Sequence, residues 1–227
     1  MVKHSAAFVG ALMLALLLSS NAQAEMYVGG EVGVMLPNDF SNISGTGGFA
    51  GNTLSDLRLK DSFEYGLRVG YFMPSVKWLG FVVQWFNAKP HVKDQNISIN
   101  GVPAGNFPGS HMNVEILAFN LVGRVPLGAF EPYVGAGPGI FFAHANDAFG
   151  TRGQNSRDTV PGLNAFAGAR FFVTQSVALF AEYKYDRAHF TFDNFAGPPD
   201  GLGVKGTYSA NTVSVGITLD LSRLLHL

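Results

Sequence analysis

The chain has 227 residues, 15 Lys+Arg against 16 Asp+Glu, a formal net charge of −1 and no cysteine. The near-neutral balance excludes the basic footprint of a nucleic-acid binder, and the missing cysteines exclude a disulfide framework and thiolate metal sites. Charged residues make up 14% of the chain, well below the roughly 25% of ordinary globular domains, while aromatics reach 13% with 20 phenylalanines.

The N-terminus reads as a processing signal. Lys3 and His4 precede the apolar run from Ala6 to Leu18, and Ala22-Gln23-Ala24 supplies the small residues of a cleavage site. Cleavage is expected between Ala24 and Glu25, which makes 1–24 a signal peptide and 25–227 the folded domain. The run is short for a spanning helix, and no later run is long enough for one.

From Glu25 onward the pattern is alternation, the signature of strands. The first strand is expected at Met26–Leu36, with Met26, Val28, Val32, Val34 and Leu36 opposite Tyr27, Gly29, Glu31 and Gly33. The second, Ser62–Met73, sets Phe63, Tyr65, Leu67, Val69 and Tyr71 against Glu64, Gly66, Arg68 and Gly70. The third runs from Trp78 to about Lys89, and the fourth from Asn113 to Val125, where Arg124 lies on the polar face. The fifth, Pro132–Ala143, carries Gly135, Gly137 and Gly139 on one face, and Pro138 calls for a local bulge because a mid-strand proline removes a ladder donor. The sixth is Leu163–Val173, with Arg170 among its polar residues.

The seventh strand, Val177–Asp186, is the most informative. Val177, Leu179, Ala181, Tyr183 and Tyr185 share one face, and Glu182, Lys184 and Asp186 share the other. The eighth is Thr207–Leu221. These lengths suit tilted membrane-spanning strands of about 9–11 residues better than sandwich strands of about 5–6. Tight connections at Pro74–Lys77, Pro126–Phe130 and Thr174–Ser176 alternate with long ones at Asn38–Asp61, His91–Met112, His144–Gly162 and Asp193–Gly206. Short turns on one side and long loops on the other mark an eight-stranded antiparallel transmembrane β-barrel, all-β, with periplasmic turns and extracellular loops. Tyr71, Trp78 and Phe130 are then expected at one interface, and Phe63, Tyr65, Trp85, Phe142 and Tyr185 at the other.

The segments Pro132–Phe142 (PYVGAGPGIFF), Ala167–Tyr185 (AGARFFVTQSVALFAEYKY) and Asn211–Leu221 (NTVSVGITLDL) resemble the eight-stranded outer-membrane β-barrel family of Gram-negative bacteria, which includes OmpA-like, OmpX-like and "porin family" barrels. The resemblance implies a monomer in the outer membrane, in contact with outer-membrane lipid and lipopolysaccharide and inserted by the barrel assembly machinery. It says little about activity. The chain shows no periplasmic peptidoglycan-binding domain and no terminal aromatic assembly signal, two features common among such barrels.

The chemistry to weigh is inward-facing charge. Glu31, Glu64, Glu182 and Asp186 are expected to share the lumen with Arg68, Arg124, Arg170 and Lys184. An eight-stranded barrel is just wide enough to be filled by side chains, so a salt-bridge network that plugs the barrel is the favoured reading. A gate for ions or small solutes, centred on Glu31, Arg68 and Glu182, is the alternative. A lipid A-modifying enzyme ranks third: the deacylase pattern His-x-Ser is not matched at His144 or His189. Pairs such as His91 with Asp94 and His189 with Asp193 are too sparse for metal, and neither a cofactor nor a metal is expected. The glycines at 135, 137 and 139 lack the following helix of a dinucleotide loop and are expected to make room for lumenal side chains. Gly45-Thr46-Gly47-Gly48 reads as a flexible external loop. Residues Ile97–Val102 suggest a hairpin above the membrane, and the long loops are the candidates for binding an extracellular ligand.

Overall fold

The computed structural model describes residues 25–107, 109–146, 155–192 and 202–224. Twelve strands are present among them: β1 (Glu25–Pro37), β2 (Ser41–Gly47), β3 (Ser62–Phe72), β4 (Leu79–Ala88), β5 (His91–Val92), β6 (Gln95–Ile99), β7 (Val102–Phe107), β8 (Ser110–Arg124), β9 (Phe130–Asn146), β10 (Asn155–Phe172), β11 (Val177–Phe192) and β12 (Leu202–Asp220). A single helical turn, α1 (Leu221–Leu224), follows.

Eight of these form a closed antiparallel barrel in the order β1-β3-β4-β8-β9-β10-β11-β12, shut by pairing β12 to β1. The seam runs in unbroken register from Tyr27↔Asp220 to Pro37↔Ala210. Closure satisfies the edges of the wall along this seam, as a membrane requires of β-structure. The face parity read from alternation is the one observed. Along β11 every second residue from Ala178 to Phe192 is buried and every residue between is exposed. Leu67, Val134, Leu163, Leu179, Val215 and Ile217 point outward, with Leu163 65% exposed. Such an apolar exterior belongs against lipid.

The wall is taller than the sequence reading drew it. The stretch assigned to a loop from His144 to Gly162 continues β9 to Asn146 and begins β10 at Asn155. Likewise β11 extends past Asp186 to Phe192, and β12 begins at Leu202, so strand takes in the end of the expected loop, from Leu202 to Gly206. Gly45-Thr46-Gly47, taken as open loop, lies in β2, which pairs with the upper part of β12. The expected bulge at Pro138 does not form. Pro138 faces Leu163 in a continuous β9–β10 register, and the β8–β9 register is the same on both sides of a gap opposite Phe119 and Asn120. The proline thus falls where the ladder toward β8 is interrupted, in keeping with its missing donor.

The first two long loops fold inward. β6 and β7 form the hairpin expected near Ile97–Val102. Bridges Leu54↔Ile99 and Leu59↔Val92 bind the first loop to the second, with Ser55 N donating to Ser98 O at 3.0 Å.

Candidate functional site

The barrel interior is filled in three tiers. At the short-turn end, Arg124 on β8 and Arg170 on β10 share Glu25 on β1 and Glu131 on β9. Arg124 Nη1 donates to Glu25 Oε1 at 2.6 Å and to Glu131 Oε2 at 3.1 Å. Arg170 donates to Glu131 through Nε at 2.9 Å and also through Nη2, and it reaches Glu25 at 3.3 Å. The guanidinium of Arg124 lies 3.6 Å over the Phe72 ring, and that of Arg170 lies 4.4 Å over Tyr27. Tyr27 and Phe72 stack at 6.0 Å. The Tyr27 ring occupies the space over Gly70, where an added Cβ would fall 2.1 Å from it. A glycine is needed there by close approach.

The middle tier centres on Arg68 and Lys184. Arg68 grips Glu182 with a two-pronged contact, Nη1 to Oε2 at 2.8 Å and Nη2 to Oε1 at 2.9 Å, and Nη2 also bonds Glu31. This fork is the strong form of an Arg–carboxylate pair. Lys184 Nζ donates to both Glu31 and Glu64. Thr212 Oγ1 donates to Glu64 Oε2 at 3.1 Å. Gln84 links Glu182 to Asn120, at 3.4 and 2.9 Å. These five charged side chains are at most 3% exposed, so pairing must replace the water they have lost.

Asp186 stands apart. Its Oδ1 accepts from Asn164 at 2.8 Å, and Oδ2 has no hydrogen-bond partner among the described residues.

The upper tier is apolar. Met35, Phe86, Ile116, Phe141, Phe190 and Tyr208 from the wall pack against Phe40, Ile43, Leu54 and Leu57 from the first loop and Ile97 and Phe107 from the second. All are buried, with Phe107 at 1%. These two loops therefore lay a hydrophobic lid over the lumen, continuous with the core.

Of the eight charged residues picked from the sequence, Glu31, Arg68, Glu182, Lys184 and Glu64 meet in one network. Arg124 and Arg170 lie in another, and Asp186 is in neither. The balanced set of four acids and four bases is therefore not one cluster. Glu131 and Glu25, the acids that hold the two lower arginines, were missed as lumenal groups. Glu131 precedes Pro132, where the expected strand began, and Glu25 was taken only as the residue after the cleavage site. The cleavage site itself, with Ala24, lies outside the described residues.

The glycines on β9 do make room, though mostly for a ring. A Cβ at Gly135 would fall 2.4 Å from Phe166, and one at Gly137 would fall 1.9 Å from Phe119 O. His91 and Asp94 do not come together. His91 Nδ1 meets Lys89 O at 3.1 Å, and Asp94 accepts from Asn106 at 2.6 Å. Asp193 lies outside the described residues. On the outer face His189 Nδ1 lies 3.1 Å from Thr207 Oγ1 on the neighbouring strand. Sequence neighbours alone could not reveal this contact, which depends on the β11–β12 register.

A closed eight-stranded antiparallel barrel with an apolar exterior and a packed, charged interior defines a transmembrane β-barrel protein. The chain belongs to the outer membrane protein β-barrel domain family, whose pattern it matches over residues 5–220. It is accordingly an outer-membrane protein of the Gram-negative type. Among solved structures it is similar to Neisserial surface protein A, with a TM-score of 0.54 and 18% identity over 87% of this chain and 99% of that one. It is also similar to the outer membrane protein OprG from Pseudomonas aeruginosa, with a TM-score of 0.60 and 13% identity over 88% of this chain and 100% of that one. A search of curated protein sequences finds no match. Identities this low carry the fold and nothing finer.

Proposed function

We propose that this protein is a monomeric surface barrel that acts through its exterior and its loops, with a lumen built for stability and not for passage. The observation that carries this reading is the middle tier. Arg68 and Lys184 cross the lumen to carboxylates on strands up to three positions away around the barrel. Opening a path there would leave buried charges unpaired, at a cost of several kcal/mol for each. The hydrophobic lid above and the Arg–Glu layer below add two further barriers. On this reading the eight lumenal charges are structural, the role is non-catalytic, and outer-membrane lipid, lipopolysaccharide and the assembly machinery are the partners met in the membrane.

Single-channel recording in planar bilayers tests it. The expected result is silence across the voltage range. Stable, reproducible openings that disappear in an Arg68→Ala variant would instead make the network a gate for ions or small solutes.

A further inference from the structure

On the outer wall, above the apolar belt, a groove of about 400 Å³ opens where β11, β12 and β2 meet. Arg187, His189 and Lys205 contribute to its lining together with Asn42, Ser44 and Thr191, and no acidic residue lines it among the described residues. The position follows from the register. Thr191 faces Lys205 and His189 faces Thr207 on β12, and Lys205 in turn faces Ser44 on β2. The β12–β2 register shifts between Lys205 and Thr207, and the Phe40 ring fills the space beside Gly206, where a Cβ would lie 2.5 Å from it. The groove is thus formed by a bulge locked from behind by an aromatic ring.

Its height is the second observation. Tyr183 and Tyr185 are the last aromatic residues of the outward face of β11, and Arg187, His189 and Thr191 continue the same face. With a rise of about 3.3 Å per residue and a tilt near 45°, each residue climbs roughly 2.3 Å along the membrane normal. Arg187 and His189 then stand about 5 and 9 Å above Tyr185, and Lys205, level with Thr191, about 14 Å above it, so the groove spans the polar zone that begins where the hydrocarbon ends.

The chemistry of the lining selects an anion. Arg187 offers a planar fork of donors, and Lys205 a compact positive charge. When the Thr207 hydroxyl donates to His189 Nδ1, the ring proton sits on Nε2, which becomes a further donor. Asp158 on β10 accepts from Thr191 N at 2.6 Å and from Thr159 N at 2.8 Å, so its carboxylate is engaged by backbone donors.

We infer that this groove binds a phosphate ester on the headgroup of an outer-leaflet glycolipid, so that the barrel holds a lipid at a fixed point of its circumference. The site rests on the reading that the barrel meets lipopolysaccharide in the membrane, and it is independent of whether the lumen conducts.

The test uses the full-length protein refolded in neutral detergent, with phosphorylated and enzymatically dephosphorylated lipid A as probes and native mass spectrometry as the readout. Phosphorylated lipid A is expected to bind at least about tenfold more tightly than the dephosphorylated form, the scale set by losing one charge-assisted contact. Arg187→Glu/Lys205→Glu should erase that preference. Lys60→Glu/Lys89→Glu, an equal charge change at exposed positions beside β3 and β4, should keep it. If the charge-reversed groove variant does not fold, Arg187→Gln/Lys205→Gln is measured instead. Equal binding of the two lipids, or equal loss in the Lys60/Lys89 control, overturns the site. So does complete competition by millimolar inorganic phosphate with no added affinity from the lipid, which would reduce it to a free-anion site.

Discussion

Lys184 on β11 reaches across the lumen to Glu64 on β3, with the Phe86 ring 4.1 Å from its ammonium nitrogen. The same nitrogen serves Glu31, so one cation holds two carboxylates from two strands. Removing it leaves both acids short of a partner in a space that water does not reach. Lys184→Met is expected to lower unfolding stability by about 3–5 kcal/mol, whereas Lys184→Met/Glu64→Gln should recover part of that loss because one buried charge is removed with the other. Urea titration of the protein refolded into lipid vesicles measures both.

Glycine is not equally needed around the barrel. At Gly70 a side chain would run into the Tyr27 ring, while at Gly123 an added Cβ meets nothing within 4 Å. Gly70→Val should therefore block assembly, seen as loss of the heat-sensitive shift on a denaturing gel. Gly123→Val should migrate like the parent, since it places a methyl pair against lipid.

The outward row Val32, Val215 and Ala181 crosses the middle of the apolar belt through consecutive strand pairs, and Val215 is 55% exposed. Val215→Arg should cost about 2–4 kcal/mol, the penalty of a cation near the bilayer midplane. A loss below about half a kcal/mol in the same vesicle titration would show that this row does not face hydrocarbon.

The absence of cysteine makes orientation easy to read. Ala104 is exposed on β7, at the long-loop end, and Gln175 is exposed in a short turn. Ala104→Cys should react with a membrane-impermeant maleimide on intact cells. Gln175→Cys should react only after the outer membrane is permeabilised. The opposite pattern would invert the barrel.

The parts legible in the sequence are those where the environment alternates with the chain. Lipid on one side and a packed lumen on the other enforce a period of two, so Leu179, Tyr183 and Tyr185 could be separated from Glu182, Lys184 and Asp186 by counting. Above the membrane that pressure ends. Asn155 to Pro161 reads as loop because Asn, Ser, Asp and Pro are turn formers, yet its backbone continues β10 beside β9. Gly45-Thr46-Gly47 becomes strand only because β12 offers it an edge. Which charges pair was not legible either. Arg124 and Arg170 share a face with Arg68, but their distance along the barrel axis places them with Glu25 and Glu131, and residue parity carries no information on stagger.

The seam between β1 and β12 has a temporal meaning as well as a spatial one. Tyr27 and Asp220 are neighbours in the closed sheet and nearly the whole folded chain apart in sequence. No local hairpin can substitute for that contact, and the loop-closure entropy it costs is the largest in the molecule. Until β12 arrives, β1 carries an open row of backbone donors and acceptors, the kind of edge that recruits other strands. The nascent barrel is therefore most exposed to mispairing just before it is complete, and its high contact order makes that interval long. A helper that covers the waiting edge of β1 would shorten the dangerous stage without adding anything to the finished wall.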